Sequence, residues 1–176
     1  MINTIFETVE FAKEKHQGQF DKVGRPYINH PLRVNSKIAK CLYNLDLIGN
    51  NIKCTDIEVQ MTAILHDTLE DTDATFEELK EKFGDKVAEA VKSVTRNKNE
   101  TYEDFIKRAC KNEIGGLVKA FDIMDNLNMM RFVMSDYEFD NIDFIRIKKY
   151  IKSLRYLVDN YQGKFPLKNI IEYFFI

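Results

Sequence analysis

The chain has 176 residues, of which 44% are hydrophobic and 31% charged, and its formal net charge is −2. This composition is typical of one globular domain with its own core, and the charge argues against a general nucleic-acid-binding surface. The three cysteines form no C-x-x-C pair, which fits reduced thiols in a cytoplasm. The N-terminal segment lacks signal-peptide features, and no apolar run approaches the roughly 20 residues that cross a bilayer. We therefore expect a single cytoplasmic domain with neither nucleic acid nor membrane as a partner.

Helix start signals recur along the first half of the chain. A capping box of the form S/T-x-x-E occurs at Thr4 with Glu7, Thr55 with Glu58 and Thr75 with Glu78. The first helix is expected after Thr4, and a loop with two glycines and a proline follows at 17–29. Pro31 suits the first residue of a second helix. The third helix is expected to begin after Thr55 and to run into His66.

The second half continues the same pattern. Further helices are expected at about 75–83, 85–95, 101–112, 114–132 and 141–161, with a short one after Pro166. No segment alternates with a period of two, so the sequence predicts an all-α bundle. We expect residues 1–176 to form one domain, with 133–176 as C-terminal helices that pack on it. The apolar end IIEYFFI suits core packing and self-association as a homo-oligomer equally well.

Four residues could hold a divalent metal. His30 opens the second helix, His66 and Asp67 are adjacent at the end of the third, and Asp122 interrupts an otherwise apolar segment. Imidazole and carboxylate groups that converge from several helices are typical of such sites, and a buried carboxylate requires a partner. A histidine before proline or a His-Asp pair is weak evidence alone. The four residues together favour a metal site.

Beyond Asp67, the segment AILHDTLEDTDAT, residues 63–75, contains Asp73 near its end and the adjacent carboxylates Glu70 and Asp71. Glu70 and Asp71 are the two that concern the metal site. On a helix they would lie one turn beyond the pair formed by His66 and Asp67. From the residues alone, they are either an acid/base pair beside the metal or the solvated end of a helix.

Four segments resemble one family. They are HQGQFDKVGRPYINHPLRV (16–34), AILHDTLEDT (63–72), EKFGDKVAEAVKSVT (81–95) and VKAFDIMDNL (118–127). Together they resemble the HD hydrolase domain of Rel/SpoT-type proteins, which removes the 3′-pyrophosphate of the alarmones guanosine tetra- and pentaphosphate.

The resemblance implies an all-helical, Mn²⁺-dependent alarmone hydrolase. The family usually continues into a synthetase domain, which we do not expect here because the sequence ends at Ile176. It makes His30, His66, Asp67 and Asp122 the metal ligands and Glu70 and Asp71 the catalytic carboxylates. It places Lys22 and Asn126 against a guanosine polyphosphate substrate.

The chain departs from the family pattern in the substrate-binding segments. Asp21 stands where the family usually has a basic residue, and Asn128 and Met129 replace a basic residue and a threonine. An aspartate at position 21 would repel a polyphosphate. Two alternatives therefore remain: an HD phosphohydrolase that acts on another nucleotide, and a helical module that binds a nucleotide without catalysis.

Overall fold

The structure is a computed structural model that describes residues 4–47, 56–133 and 135–175. This part of the chain is built from α-helices, which confirms the all-α prediction. They are α1 (Ile5–Lys15), α2 (Asn29–Leu47), α3 (Ile57–Leu65), α4 (Thr68–Asp71), α5 (Phe76–Phe83), α6 (Asp85–Val94), α7 (Tyr102–Lys111), α8 (Glu113–Asn126), α9 (Asn141–Asn160) and α10 (Leu167–Phe175), with a 3₁₀ turn at Met129–Phe132. Within the described ranges the only β-type pairing is an isolated bridge between Phe20 and Pro26. None of the described helices is both long and apolar enough to span a bilayer.

Side-chain caps explain where several helices begin. Thr4 and Glu7 form the expected capping box at α1, and the Thr75 hydroxyl accepts the Glu78 amide at α5. The prediction of Thr55 as the cap of α3 was wrong. Asp56 holds that position and accepts the Val59 amide, whereas Thr55 lies outside the described residues.

Two other predicted boundaries were also wrong. Helix α2 begins at Asn29, two residues before Pro31, because the Tyr27 carbonyl already accepts the His30 amide at 2.8 Å. The helix expected over 114–132 ends at Asn126, and a 3₁₀ turn follows. The Asn128 side chain accepts the Met130 amide and so caps this new turn.

Helices α3 and α8 occupy the centre of the bundle. Helix α3 packs against α1, α2, α6 and α8, while α8 also packs against α2, α6, α7 and α9. Gly115 and Gly116 permit close approach, because a Cβ atom would lie 2.0 Å from Ser93 Oγ at the first and 2.8 Å from the Tyr161 ring at the second. The crossing of α2, α3 and α8 brings three distant segments of the chain to one buried point.

Candidate metal centre

His30, His66 and Asp122 meet at that point. One ligand atom from each lies within 4.8 Å of the others, and all three side chains are buried. The Nε2 atom of His30 lies 3.1 Å from Asp122 Oδ1, and the Nε2 atom of His66 lies 3.7 Å from the same oxygen. Two imidazoles and a carboxylate from separate helices form a candidate site for a divalent metal.

Asp67 faces the same point from the break between α3 and α4. Its Oδ2 atom lies 3.1 Å from His66 Nε2 and 3.6 Å from His30 Nε2. The chain turns at residues 66–67 before α4 begins, so adjacent side chains both face the site. The Tyr27 hydroxyl donates to Asp67 Oδ2 at 2.6 Å, a contact that the sequence analysis did not identify.

Hydrogen bonds orient the imidazole of His66 for metal binding. Its Nδ1 atom donates to the Ala63 carbonyl at 2.9 Å, so Nε2 is the atom left to carry a proton or a metal. This Nε2 is buried and makes no hydrogen bond within the described structure. A buried imidazole nitrogen without a hydrogen bond fits a metal ion at this position.

Asp125 orients His30 in a corresponding way. Its Oδ2 atom lies 2.8 Å from His30 Nδ1, which directs Nε2 towards the other ligands. Asp125 is fully buried and is also bound by Arg33 at 3.0 Å and Lys37 at 2.7 Å. In the sequence Asp125 lies three residues after Asp122. Its role in orienting His30 becomes visible only from the contact between the two side chains in the structure.

The electrostatics of the cluster favour a cation. Burial opposes protonation of His66, but the carboxylates of Asp67 and Asp122 outweigh it and raise its pKa to about 10. Burial likewise opposes ionisation of Asp122, yet Lys119 and the two histidines hold its pKa well below the usual value. A field that retains a proton on a buried imidazole also attracts a divalent ion.

The two carboxylates expected to act in catalysis lie on α4 near the ligands. Glu70 Oε2 accepts the Arg96 amide at 3.0 Å, and Asp71 Oδ2 lies 3.4 Å from the Tyr27 hydroxyl. Gln19 donates to the backbone carbonyl of Asp71 at 2.7 Å and so ties α4 to the loop after α1. Partial burial, with Asp67 and Glu70 nearby, raises the pKa of Asp71.

An open pocket adjoins the metal cluster on one side. Its lining includes His30, Asn126, Tyr27, Phe20, Asp21, Lys22, Met129, Arg131, Phe132, Phe139, Asp143, Arg146, Ile147 and Tyr150. Aromatic rings with several cations suit a nucleotide. Helix α9, for which the sequence predicts only packing, supplies four of these residues.

The predicted substrate-binding residues, Lys22 and Asn126, line this pocket, and both already contact an aspartate side chain. Lys22 Nζ lies 2.7 Å from Asp143 Oδ1, and Asn126 Nδ2 donates to Asp122 Oδ1 at 2.6 Å. The Asp21 carboxylate accepts the amides of Val23 and Arg25 at 3.0 and 2.9 Å. Asp21 therefore stabilises its own loop, a role that its acidic character alone does not indicate.

Comparison with known proteins places the chain in a family. The family model described as HD domain matches residues 8–113. The chain belongs to the HD domain family. A guanosine-3′,5′-bis(diphosphate) 3′-pyrophosphohydrolase from Aquifex aeolicus is 40% identical over 129 residues, which are 69% of this chain and 17% of that protein. The MESH1 enzyme of the same name from Danio rerio is 45% identical over 97 residues, 54% of this chain and 48% of that protein.

A solved structure extends the similarity to nearly the whole fold. It is described as a metazoan ortholog of SpoT that hydrolyzes ppGpp, and it matches with a TM-score of 0.65 and 26% identity. The match covers 98% of this chain and 97% of that one. By sequence, however, the chain covers less than half the length of the two curated relatives above.

Proposed function

We propose that this HD domain is a Mn²⁺-dependent hydrolase that removes the 3′-pyrophosphate of guanosine tetra- and pentaphosphate. The observation that carries the proposal is the buried convergence of His30, His66 and Asp122 beside a pocket with aromatic and basic lining. The names and titles of the relatives above supply the substrate class.

The proposed ligands are His30, His66, Asp67 and Asp122. A bound Mn²⁺ ion would supply Lewis-acid polarisation of the phosphoryl group and activation of water. In the reaction, the oxygen of water bonds to the phosphorus on the ribose 3′ oxygen. The bond between that phosphorus and the 3′ oxygen breaks, pyrophosphate is released, and the 3′ oxygen takes up a proton.

Glu70 and Asp71 are the proposed acid/base residues. The Arg96 amide holds one oxygen of Glu70 in place, and the Tyr27 hydroxyl lies beside Asp71. A carboxylate with a raised pKa accepts a proton more readily at neutral pH, which suits Asp71 to receive the proton of the attacking water.

Lys22 and Asn126 are the proposed substrate contacts. Lys22 lies beside the buried Asp143, so it is held in the pocket before any phosphate arrives. The side-chain amide of Asn126 donates to Asp122 and also lines the pocket, so it lies between the proposed metal ligands and the proposed substrate.

The test is pyrophosphate release from guanosine tetraphosphate by chelator-treated protein, with Mn²⁺, Mg²⁺ or no metal added. We expect turnover only with added metal, highest with Mn²⁺, and its loss in His66→Ala and Asp67→Ala. Asp73→Asn is the matched control, because this carboxylate lies in the same segment but is exposed and paired with Lys15. Absence of turnover of both alarmones by metal-loaded wild-type protein would refute the substrate assignment.

A second candidate is an HD phosphohydrolase that prefers another nucleotide, favoured by Asp21 and Met129 in the pocket lining. A panel of 3′- and 5′-phosphorylated nucleotides separates it from the first. Tight nucleotide binding without turnover of any member would instead support a non-catalytic module.

A further inference from the structure

Arg131 is a cation with no contacting counter-ion among the residues that the structure describes. It lies in the 3₁₀ turn after α8 and lines the pocket beside the metal cluster. Its Nε atom is buried without a hydrogen-bond partner, and within residues 4–47, 56–133 and 135–175 it forms no ion pair. Its guanidinium carbon lies 4.7 Å from the centre of the Phe132 ring, which supports one face of the group. A desolvated donor of this kind is costly unless a ligand supplies an acceptor.

Arg131 is partly buried among charged groups of both signs. Burial is the main cause of its lowered pKa, because attraction by Asp125 and Asp21 offsets repulsion by Arg33 and Arg146. Both aspartates are already bound elsewhere, Asp125 by His30 and two cations and Asp21 by two amides of its own loop. Neither of these carboxylates contacts the guanidinium of Arg131, which is therefore available to an anionic ligand.

Two other cations that line the pocket outnumber the carboxylate with which they pair. Arg146 on α9 and Lys22 share a single buried carboxylate, Asp143. An arginine fork matches two oxygens of a phosphate group, and a second arginine nearby can neutralise a further charge.

We propose that Arg131, together with Arg146, forms a subsite for the 5′-diphosphate of the nucleotide, since both arginines line the pocket and neither contacts a proposed metal ligand. This inference rests on the proposed function, in which the 3′-pyrophosphate lies at the metal.

The experiment compares two substrates that carry the same scissile group. Guanosine tetraphosphate has a 5′-diphosphate, whereas guanosine 3′-diphosphate has a free 5′-hydroxyl. For Arg131→Ala we expect KM for the tetraphosphate to rise about tenfold or more, because a charge-assisted contact is lost, with kcat little changed. KM for guanosine 3′-diphosphate should stay at the wild-type value.

Two further variants sharpen the comparison. Arg131→Lys keeps the positive charge but loses the planar guanidinium with its paired N–H donors. Its KM for the tetraphosphate should therefore lie between the values for wild type and Arg131→Ala. Arg155→Ala is the matched control, since this arginine is exposed on α9 and does not line the pocket. An equal rise in KM for both substrates in Arg131→Ala would overturn the subsite, because the residue would then act on the base or on the metal end.

Failure of the proposed function is distinguishable from failure of the subsite. If metal-loaded wild-type protein hydrolyses neither substrate, the proposed function fails. The subsite is then judged by calorimetric binding of guanosine 5′-diphosphate. At least a tenfold weaker affinity in Arg131→Ala than in wild type and Arg155→Ala supports it, and equal affinities overturn it.

Discussion

Asp125→Asn is expected to weaken metal binding without removing a ligand. The substitution keeps the size of the side chain but removes the negative charge that accepts from His30 Nδ1 at 2.8 Å. The new amide group would also face the donors of Arg33 or Lys37, which now bind the carboxylate. His30 loses the partner that orients it, and two cations near the metal lose their counter-ion.

The magnitude follows from the geometry. A metal on His30 Nε2 would lie about 7 Å from the Asp125 carboxylate, so at an effective dielectric constant of about 20 the attraction of a divalent ion is about 5 kcal/mol. Arg33 and Lys37 offset much of this attraction. Loss of a partner that orients a metal-binding histidine typically weakens metal affinity about 10- to 100-fold, or about 1.4–2.7 kcal/mol. We expect Asp125→Asn to fall in that range.

The assay is calorimetric titration of chelator-treated protein with Mn²⁺. Asp159→Asn is the control, because this carboxylate is exposed near the end of α9. Nitrogen-15 NMR of the histidine rings tests the mechanism separately, since the proton on His30 Nδ1 should be less strictly localised in the variant. If Asp125→Asn retains the wild-type unfolding temperature and the wild-type Mn²⁺ affinity, the reasoning is refuted.

Three other substitutions test the site and its supporting structure. Tyr27→Phe removes the hydroxyl that bridges a proposed ligand and a proposed catalytic carboxylate, so activity should fall about 10- to 100-fold while the fold is retained. Gly116→Ala should lower the free energy of unfolding by about 1–3 kcal/mol, because the new methyl group would displace the Tyr161 ring. Glu100→Gln should destabilise the protein at neutral pH, because Glu100 accepts two hydrogen bonds from Arg108, at 2.8 and 2.7 Å. Those bonds hold the pKa of Glu100 below its usual value, so its stabilisation is present above the unfolded-state pKa and is lost as pH falls through the folded-state pKa.

The measurements are steady-state kinetics with a metal titration for the first substitution and chemical unfolding for the other two. Wild-type kcat in Tyr27→Phe would contradict the positioning role of the hydroxyl. Unchanged stability in Gly116→Ala would mean that the tyrosine ring moves at no cost. For Glu100→Gln, a stability difference from wild type that does not shrink in acid would exclude the ion pair as its source.

Much of the local structure could be predicted because its causes are local. The helical period identified the bundle, and capping residues such as Thr4 and Thr75 marked helix starts within one residue. Boundaries failed where a neighbouring turn intervened, as at Asn128, whose side chain caps a new turn instead of continuing α8. Local propensity cannot resolve such competition between two hydrogen-bonding arrangements.

The residue types of the candidate metal site were also accessible from the sequence, because few side chains bind metals and the apolar context of Asp122 indicated burial. The residues that surround and contact those ligands could not be predicted from the sequence in the same way. Asp125, Tyr27 and Arg131 acquire their roles from contacts with residues distant in the chain or from the absence of such a contact. Nothing in their immediate sequence distinguishes them from ordinary polar residues.

The sequence by itself therefore determined that this chain folds as helices and which histidines and carboxylates could bind a metal. Only the tertiary structure decided how those groups are oriented and what lies beside them. The reason is physical: a helix forms from interactions within a few residues, whereas a histidine tautomer or a pocket wall depends on which distant segments pack together. In this protein the crossing of α2, α3 and α8 sets the orientation of the metal-binding groups. The packing of α9 on α8 sets the wall of the pocket beside them.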